Sequence, residues 1–366
     1  MVFFMKSRKP AISVLIPTFN RAQYLGECLE SLLSQTLPPA QIILVNDGST
    51  DQTIQRLKPF RNKIIYLEAD QVGKPSAINL GLAKVSGDYV WIFDDDDVAL
   101  PDALQRFVEP LEKHPEHGFS FSSYYYSVES QGNKRIARIQ GQSPIPDFET
   151  RGFLIPLMEW NFLGGAALFA RTAVYDHVGE FAQDLLRSQD YEMAIRIALH
   201  FTGIRVKGEA TFHYRQHAGV RGNLRDRFAA REKNKYWLKY DQVFFRRLYN
   251  TLPLEKYLPP GDDIASKYRQ ALLQRMAIMA SKLLHDEIIN DLRQLAEVQD
   301  HTPFSKQERA IILFMMSTPW YGMDNITSND EFFNQLRKIS NSTKIIAMLY
   351  SEILHNLRHK ALTVNL

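Results

Sequence analysis

Tyr89-Val90-Trp91-Ile92-Phe93 runs without a break into Asp94-Asp95-Asp96-Asp97. The first five residues are apolar and β-favouring, as in a strand covered on both faces. The aspartates that follow repel one another, and crowding them costs stability unless a cation or a set of donors offsets it. Oxygen ligands of this kind suit Mg²⁺ or Mn²⁺, which commonly also hold substrate phosphates. The plainer alternative is a solvated loop with a helix cap at its end; the strand in front favours the metal.

The residues before this stretch repeat one unit. Ile12 to Ile16 is a short β-rich run ending at Pro17, and Asn20 is placed to cap a helix. Leu25, Cys28, Leu29, Leu32 and Leu33 then recur at helical spacing, until Pro38 and Pro39 end the pattern. Ile42 to Val45 predicts a second strand, followed by the polar turn Asn46-Asp47-Gly48-Ser49-Thr50-Asp51. Ile64 to Leu67 predicts a third strand, and Pro75 to Val85 a helix with proline in its first turn. This β-α-β-α order predicts an α/β fold: a mixed, largely parallel sheet with helices on both faces. Ligands of such sheets bind beyond the carboxyl ends of the strands. Asn20, Asp47 and the acidic run all follow strand ends, so they should meet along one edge.

Beyond the acidic run, Pro101 to His114 reads as a helix, and Phe119 to Val128 and Arg135 to Ile139 as strands joined by a hairpin at Gln131-Gly132-Asn133. Gly164-Gly165 precedes the apolar run Ala166 to Ala170, and Ser188 is placed to cap a helix from Gln189 to Leu199. From about Arg221 strand signals fade and helical periodicity dominates. The expected division is a domain over residues 1–225 and a mainly helical region over 226–366, with a turn at Leu258-Pro259-Pro260-Gly261 and a buried segment from Ala310 to Met316.

Composition excludes little. Of 366 residues, 45% are apolar and 23% charged, as in ordinary globular chains, and a net charge of +3 does not by itself imply nucleic acid. Cys28 is the single cysteine, so no intramolecular disulfide can form and a reducing compartment is expected. No run approaches the roughly 18 apolar residues of a membrane span. The start, Met1 to Lys6, lacks signal-peptide character, so a cytoplasmic location is expected.

Three further features bear on chemistry. Asp190 opens its helix, where the dipole and free amides stabilise a carboxylate; ordinary helix-start charge is the competing reading. Gly73-Lys74-Pro75-Ser76 superficially resembles a P-loop, but Glu68 stands where that motif needs glycine and Pro75 intervenes, so it is not one. His213 and His217 would share one face of a strand, as a structural pair or as ligands.

Four blocks, in order and spacing, resemble family 2 of the glycosyltransferases, with the GT-A fold, over roughly residues 11 to 223. They are Ser13-Val14-Leu15-Ile16-Pro17-Thr18-Phe19-Asn20-Arg21, then Val45 to Asp51, then Gly73 to Gly81, then Gly87 to Asp97 with an Asp-x-Asp motif. The resemblance implies that Pro17, Thr18, Asn20, Arg21 and Asp47 hold the nucleotide. Asp47 would read the base, with uridine preferred, and Lys74 would lie near the base or diphosphate. It further implies Asp95 on the ribose and Asp94 and Asp96 on a Mn²⁺ or Mg²⁺ ion, with His217, a late histidine near the diphosphate, joining that set. Gly165 would lie beside the acceptor and Asp190 would be the catalytic base. The family often has Glu before that base; here the residue is Gln189. The Gln-x-x-Arg-Trp motif and membrane spans of processive synthases are missing, which implies one sugar per encounter. The implied activity is inverting, metal-dependent transfer from a nucleotide-sugar donor to an acceptor hydroxyl in cell-surface glycan or polysaccharide synthesis. The acceptor, whether glycan, lipid-linked or protein, stays open, since acceptor specificity in such enzymes lies in loops here near residues 140 to 165.

Between Arg221 and Arg247 nine basic residues face three acidic ones, with Tyr236, Tyr240, Val243 and Phe244 at helical spacing. Such a helix either packs its aromatic face on protein or lies on an anionic membrane as a peripheral contact. Three other functions compete. A nucleotidyltransferase would need a glycine-rich loop where Pro17-Thr18-Phe19-Asn20 stands. A non-catalytic scaffold keeping the fold would have no need of both Asp96 and Asp190. A nucleic-acid binder would carry a recognised module, and none is present, so no nucleic-acid partner is expected.

Overall fold

The computed structural model describes residues 9–148, 150–217, 232–300, 302–316, 330–340 and 343–363. It divides into two compact units, Met1–Pro146 with Asn161–Glu232, and Asp147–Trp160 with Lys233–Leu366. The expected boundary near residue 225 and the basic residues Arg221, Arg225, Arg227 and Arg231 lie outside the described residues.

The first unit opens with β1 (Ile12–Thr18), α1 (Ala22–Leu33), β2 (Gln41–Asp47), α2 (Thr53–Leu57), β3 (Ile65–Ala69), α3 (Lys74–Leu82) and β4 (Tyr89–Ile92). It continues through β5 (Val98–Ala99), α4 (Ala103–Lys113), β6 (Phe119–Phe121), β7 (Tyr125–Glu129) and β8 (Ile136–Gln142). After α5 (Leu154–Glu159), which belongs to the second unit, come β9 (Leu168–Arg171), α6 (Thr172–Val178), α7 (Gln189–His200), β10 (Gly203–Arg205) and β11 (Phe212–Gln216).

Seven strands form one sheet in the order β10-β6-β9-β4-β1-β2-β3. All neighbours are parallel except β9, which runs antiparallel to both β4 and β6. Every residue of β1 is buried, as expected of a strand covered on both faces. Helix α3 crosses β1 so closely that a β-carbon at Gly81 would strike the Leu15 side chain. Phe93, Trp91, Phe107 and Phe169 form a chain of ring contacts in that order, with centroids 4.4, 5.3 and 5.3 Å apart, tilted at the first two and stacked at the last. A second, four-stranded sheet has the order β5-β11-β7-β8.

Several expectations are corrected. The strand read from Phe119 to Val128 is two strands in different sheets. Ser122 and Ser123 break it: the Ser122 hydroxyl bonds that of Thr211 at 2.6 Å, and the Ser123 carbonyl accepts from the Thr211 amide. The β7–β8 hairpin itself forms. The helix expected over 75–85 ends at Leu82. Asn20 is not the cap of α1. Arg21 takes that position, and Asn20 sits at φ 54°, a left-handed conformation that asparagine tolerates. Ser188 does precede α7, but at φ 58° its side chain makes no capping hydrogen bond.

The second unit holds α5, α8 (Lys233–Thr251), α9 (Ile264–Ser281), α10 (His285–Ala296), α11 (Lys306–Met315), α12 (Asp330–Ser340) and α13 (Lys344–Thr363). The buried face of α8 is Leu238, Tyr240, Asp241, Phe244 and Phe245 rather than the expected face, since Val243 is exposed. Lys282 lies over the Phe245 ring at 4.7 Å, so this face packs within the helical unit. Ala310 to Met316 is only half buried, with Leu313 outward.

Candidate functional site

Strands β4, β1 and β2 lie side by side and parallel, so their carboxyl ends share one edge. Pro17 and Thr18, both buried, end β1; Asp47 ends β2; the aspartate run follows β4. The run then enters β5, which pairs with β11 in the second sheet, so it bridges the two sheets.

One carboxylate oxygen from each of Asp94, Asp96 and Asp97 can be chosen so that all three lie within 4.8 Å of one another. Burial pushes the Asp95 carboxyl up to about 7, helped by Asp96 and opposed by Arg21. Burial, with Asp96 and Asp94 adding to it, holds Asp97 well above the usual carboxylate range. Asp97 Oδ1 accepts from the Arg215 amide at 3.0 Å, whereas its Oδ2 is buried and has no hydrogen-bond partner among the described residues. Crowded acids with a bare buried oxygen fit a hard divalent cation, which takes oxygen ligands and relieves the repulsion. Mn²⁺ or Mg²⁺ therefore fits the donor set present, with Asp97 as a ligand candidate that the sequence reading did not include.

The cationic groups are placed around this cluster. Arg21 Nε lies 3.7 Å from Asp96 Oδ2 and 4.0 Å from Asp95 Oδ1. Lys74, the first residue of α3, donates to Asp94 Oδ1 at 2.6 Å. Burial disfavours its charge, but Asp94 and Asp190 outweigh that and raise its pKa. His217 follows β11, with Nε2 3.0 Å from Asp96 Oδ2 and its ring 5.1 Å from that of Tyr24. His213 does not join them; it pairs with the Ser127 hydroxyl at 2.9 Å.

Asp190 reaches the same place from far along the chain. A β-carbon built on Gly165 would lie 3.3 Å from Asp94 Oδ2 and 3.4 Å from Asp190 Oδ2, so this glycine sits between the two carboxylates. Trp91 Nε1 fixes the turn by donating to the Ala166 carbonyl at 2.7 Å. Burial raises the Asp190 pKa, with Lys74 opposing and Asp94 adding.

Asp47 and Asn20 are engaged with backbone. Asp47 accepts from the Val72 and Gly73 amides at 2.7 and 2.9 Å, and burial still raises its pKa. Asn20 Oδ1 accepts from the Thr50 and Asp51 amides at 2.7 and 3.2 Å, tying the loop after β2 to the end of β1.

The residue most clearly missed in sequence is Arg215. It is 1% exposed, and it holds the acidic loop from behind. Its Nε donates to the Asp96 carbonyl, its Nη1 to the Lys134 carbonyl and its Nη2 to Glu27, each at 2.6 Å. The only signal was strand alternation, which puts Arg215 on one face with His213 and His217.

The family described as Glycosyl transferase family 2 matches residues 13–178. Over those residues, a little under half of the chain, the sequence is similar to family 2 of the glycosyltransferases. A Rickettsia felis protein described as an uncharacterized glycosyltransferase is 28% identical over 190 residues, 51% of this chain and 31% of that protein. A Haemophilus influenzae protein with the same description is 25% identical over 309 residues, 80% of this chain and 93% of that protein. The chain thus spans about a third of the Rickettsia felis relative's length. The crystal structure of S. aureus TarS 1-349 in complex with UDP-GlcNAc shares the fold, with a TM-score of 0.52 at 17% identity, covering 95% of this chain and 89% of that one. The fold is therefore the GT-A type expected from the four blocks.

Proposed function

We propose that the chain is an inverting, metal-dependent glycosyltransferase that moves one sugar per encounter from a nucleotide sugar, a UDP-sugar by preference, to an acceptor hydroxyl. Gly165 carries this reading: Asp94 of the acidic loop and Asp190 of α7, 96 residues apart in the chain, both approach the space a side chain here would fill. A candidate base would thus stand beside a candidate cation site, with the Lys74 ammonium, bonded to Asp94, close by.

Asp94, Asp96 and Asp97 would hold the cation, with His217 at its edge. A bound Mn²⁺ or Mg²⁺ would neutralise charge on the departing diphosphate. Arg21 and Lys74 would add positive charge beside it. Asp47 keeps lone pairs after accepting two amides and would read the base; Thr18, Asn20 and Asp95 would line the nucleoside. Asp190 would accept the proton of the acceptor hydroxyl as its oxygen attacks the anomeric carbon and the bond to diphosphate breaks. Its raised proton affinity suits a general base better than an ordinary aspartate. A single displacement of this kind inverts the anomeric centre.

Calorimetry with UDP, GDP, dTDP and CDP, each with Mn²⁺, Mg²⁺ or EDTA, tests the reading. Metal-dependent binding of one nucleotide is expected. No binding by folded protein would leave a non-catalytic scaffold of the same fold as the better account. No helix among the described residues is long and apolar enough to cross a membrane. A cytoplasmic enzyme touching anionic lipid through residues 221–247 belongs to the same proposal. Flotation with anionic but not neutral vesicles at low salt is expected, and equal recovery with both ends that part.

A further inference from the structure

The helical unit contains a cavity of about 590 Å³, walled by α5, α9 and α11, within the roughly 300–1,000 Å³ range of small-molecule sites. We infer that it is a binding site for a neutral saccharide, separate from the acidic loop of the first unit.

Three of its polar side chains, Glu159, Gln270 and Gln274, are buried. Gln270 is 8% exposed, lines the cavity, and makes no side-chain hydrogen bond among the described residues. Asp262 pairs with Lys267 at 2.7 Å through Oδ1, while its Oδ2 is buried without a partner. An unbonded carboxamide on a largely buried side chain is costly, so Gln270 on the cavity wall points to a ligand that supplies the missing bonds.

The ligand's chemistry follows from what the wall offers. Four charged side chains line the cavity, and they cancel in pairs: Arg151 forks onto Glu159, and Lys267 holds Asp262. A charged ligand gains no net attraction there. A carboxamide presents a donor and an acceptor side by side, matching two adjacent hydroxyls of a sugar ring. Gln270 and Gln307 each offer such a group. Gln274 is already held, donating to Glu159 Oε1 at 3.0 Å, and it stiffens the wall. Ile155, Ile311 and Phe314 give the apolar surface that the C–H face of a sugar ring covers.

Saturation-transfer NMR and calorimetry on the full chain, with glucose, galactose and N-acetylglucosamine and their methyl glycosides, test this inference. One of these probes should bind in the millimolar range, and Gln270→Leu should weaken it about tenfold or more. Gln307→Leu, at an exposed position that folding tolerates, should weaken the same probe. Asp96→Ala should leave it unchanged. No saturation by any probe overturns the inference. So does binding that survives both glutamine variants, or that disappears in Asp96→Ala, which would put the sugar at the acidic loop.

Discussion

Both units bury carboxylates, and they treat them in opposite ways. In the helical unit each deeply buried acid meets a basic side chain: an arginine for Glu159, Glu287, Asp291 and Glu308, and Lys282 for Asp241. Arg269 donates to both oxygens of Glu308 at 2.7 and 2.8 Å, and Arg275 to both oxygens of Asp291 at 3.0 and 2.6 Å. Although Glu308 is buried, Arg269 and the Ser305 cap lower its pKa. In the first unit Asp94 to Asp97 face one another, and Asp95 and Asp97 are pushed up by burial and by their neighbours. Arg215, the most buried cation nearby, binds the loop's backbone and Glu27 rather than neutralising its carboxylates. Paired acids hold a fold together, whereas acids packed against acids weaken it and persist where chemistry needs them.

The largest effect that would break this contrast lies at Asp190. Asp190→Asn is expected to lower the transfer rate by ~10²–10⁴-fold, the usual share of a general base, with thermal stability unchanged or raised. Normal turnover in that variant would remove Asp190 from the chemistry. Second in size is the paired side. Arg275→Met leaves Asp291 buried and unpaired, and should cost the helical unit ~3–5 kcal/mol in denaturant unfolding. A loss below about 1 kcal/mol, as for exposed pairs, would show that burial does not matter there.

The smallest effects are two pH dependences of opposite sign. Asp95 is raised to about 7 when folded, against about 3.9 unfolded. The folded state therefore binds the extra proton, and stability falls as pH rises from about 4 through 7. Asp95→Asn should remove that slope in EDTA. Lys282 is lowered to about 8 by burial, with Asp241 and Glu159 opposing, against about 10.4 unfolded. Here the unfolded state binds the extra proton, so stability rises from pH 8 to 10, and Lys282→Met should flatten the rise. Each slope is at most ~1.4 kcal/mol per pH unit. Melting curves of wild type and variants against pH would show both, and slopes of the same sign would sink the contrast.

What could be read in sequence was local. Strands β1, β2 and β4 announced themselves by short apolar runs, and α1 by leucines at helical spacing, because each buries its own face. The convergence of Asn20, Asp47 and Asp94 to Asp97 followed from the parallel order alone. Asp190 was different: helix-start charge is common, and only the resemblance raised it above that. Arg215 and the membership of Asp147–Trp160 in the helical unit were not legible. Their partners lie far off in the chain: Glu27 is 188 residues from Arg215, and Gln274 is 115 residues from Glu159. The break at Ser122 and Ser123 was hidden for the same reason, since Thr211 completes it.

The grip of Arg215 on the Asp96 carbonyl has a consequence for affinity. The guanidinium fixes the loop's main chain from behind and binds no carboxylate oxygen of the metal candidates, while the Arg215 amide holds Asp97 Oδ1. The loop's main chain is thus held by strand β11 before a cation or donor arrives, and the cation is left to relieve the repulsion among Asp94 to Asp97. Binding then carries little of the entropy loss that a floppy acidic loop would impose, and more of the contact energy is left to show as affinity.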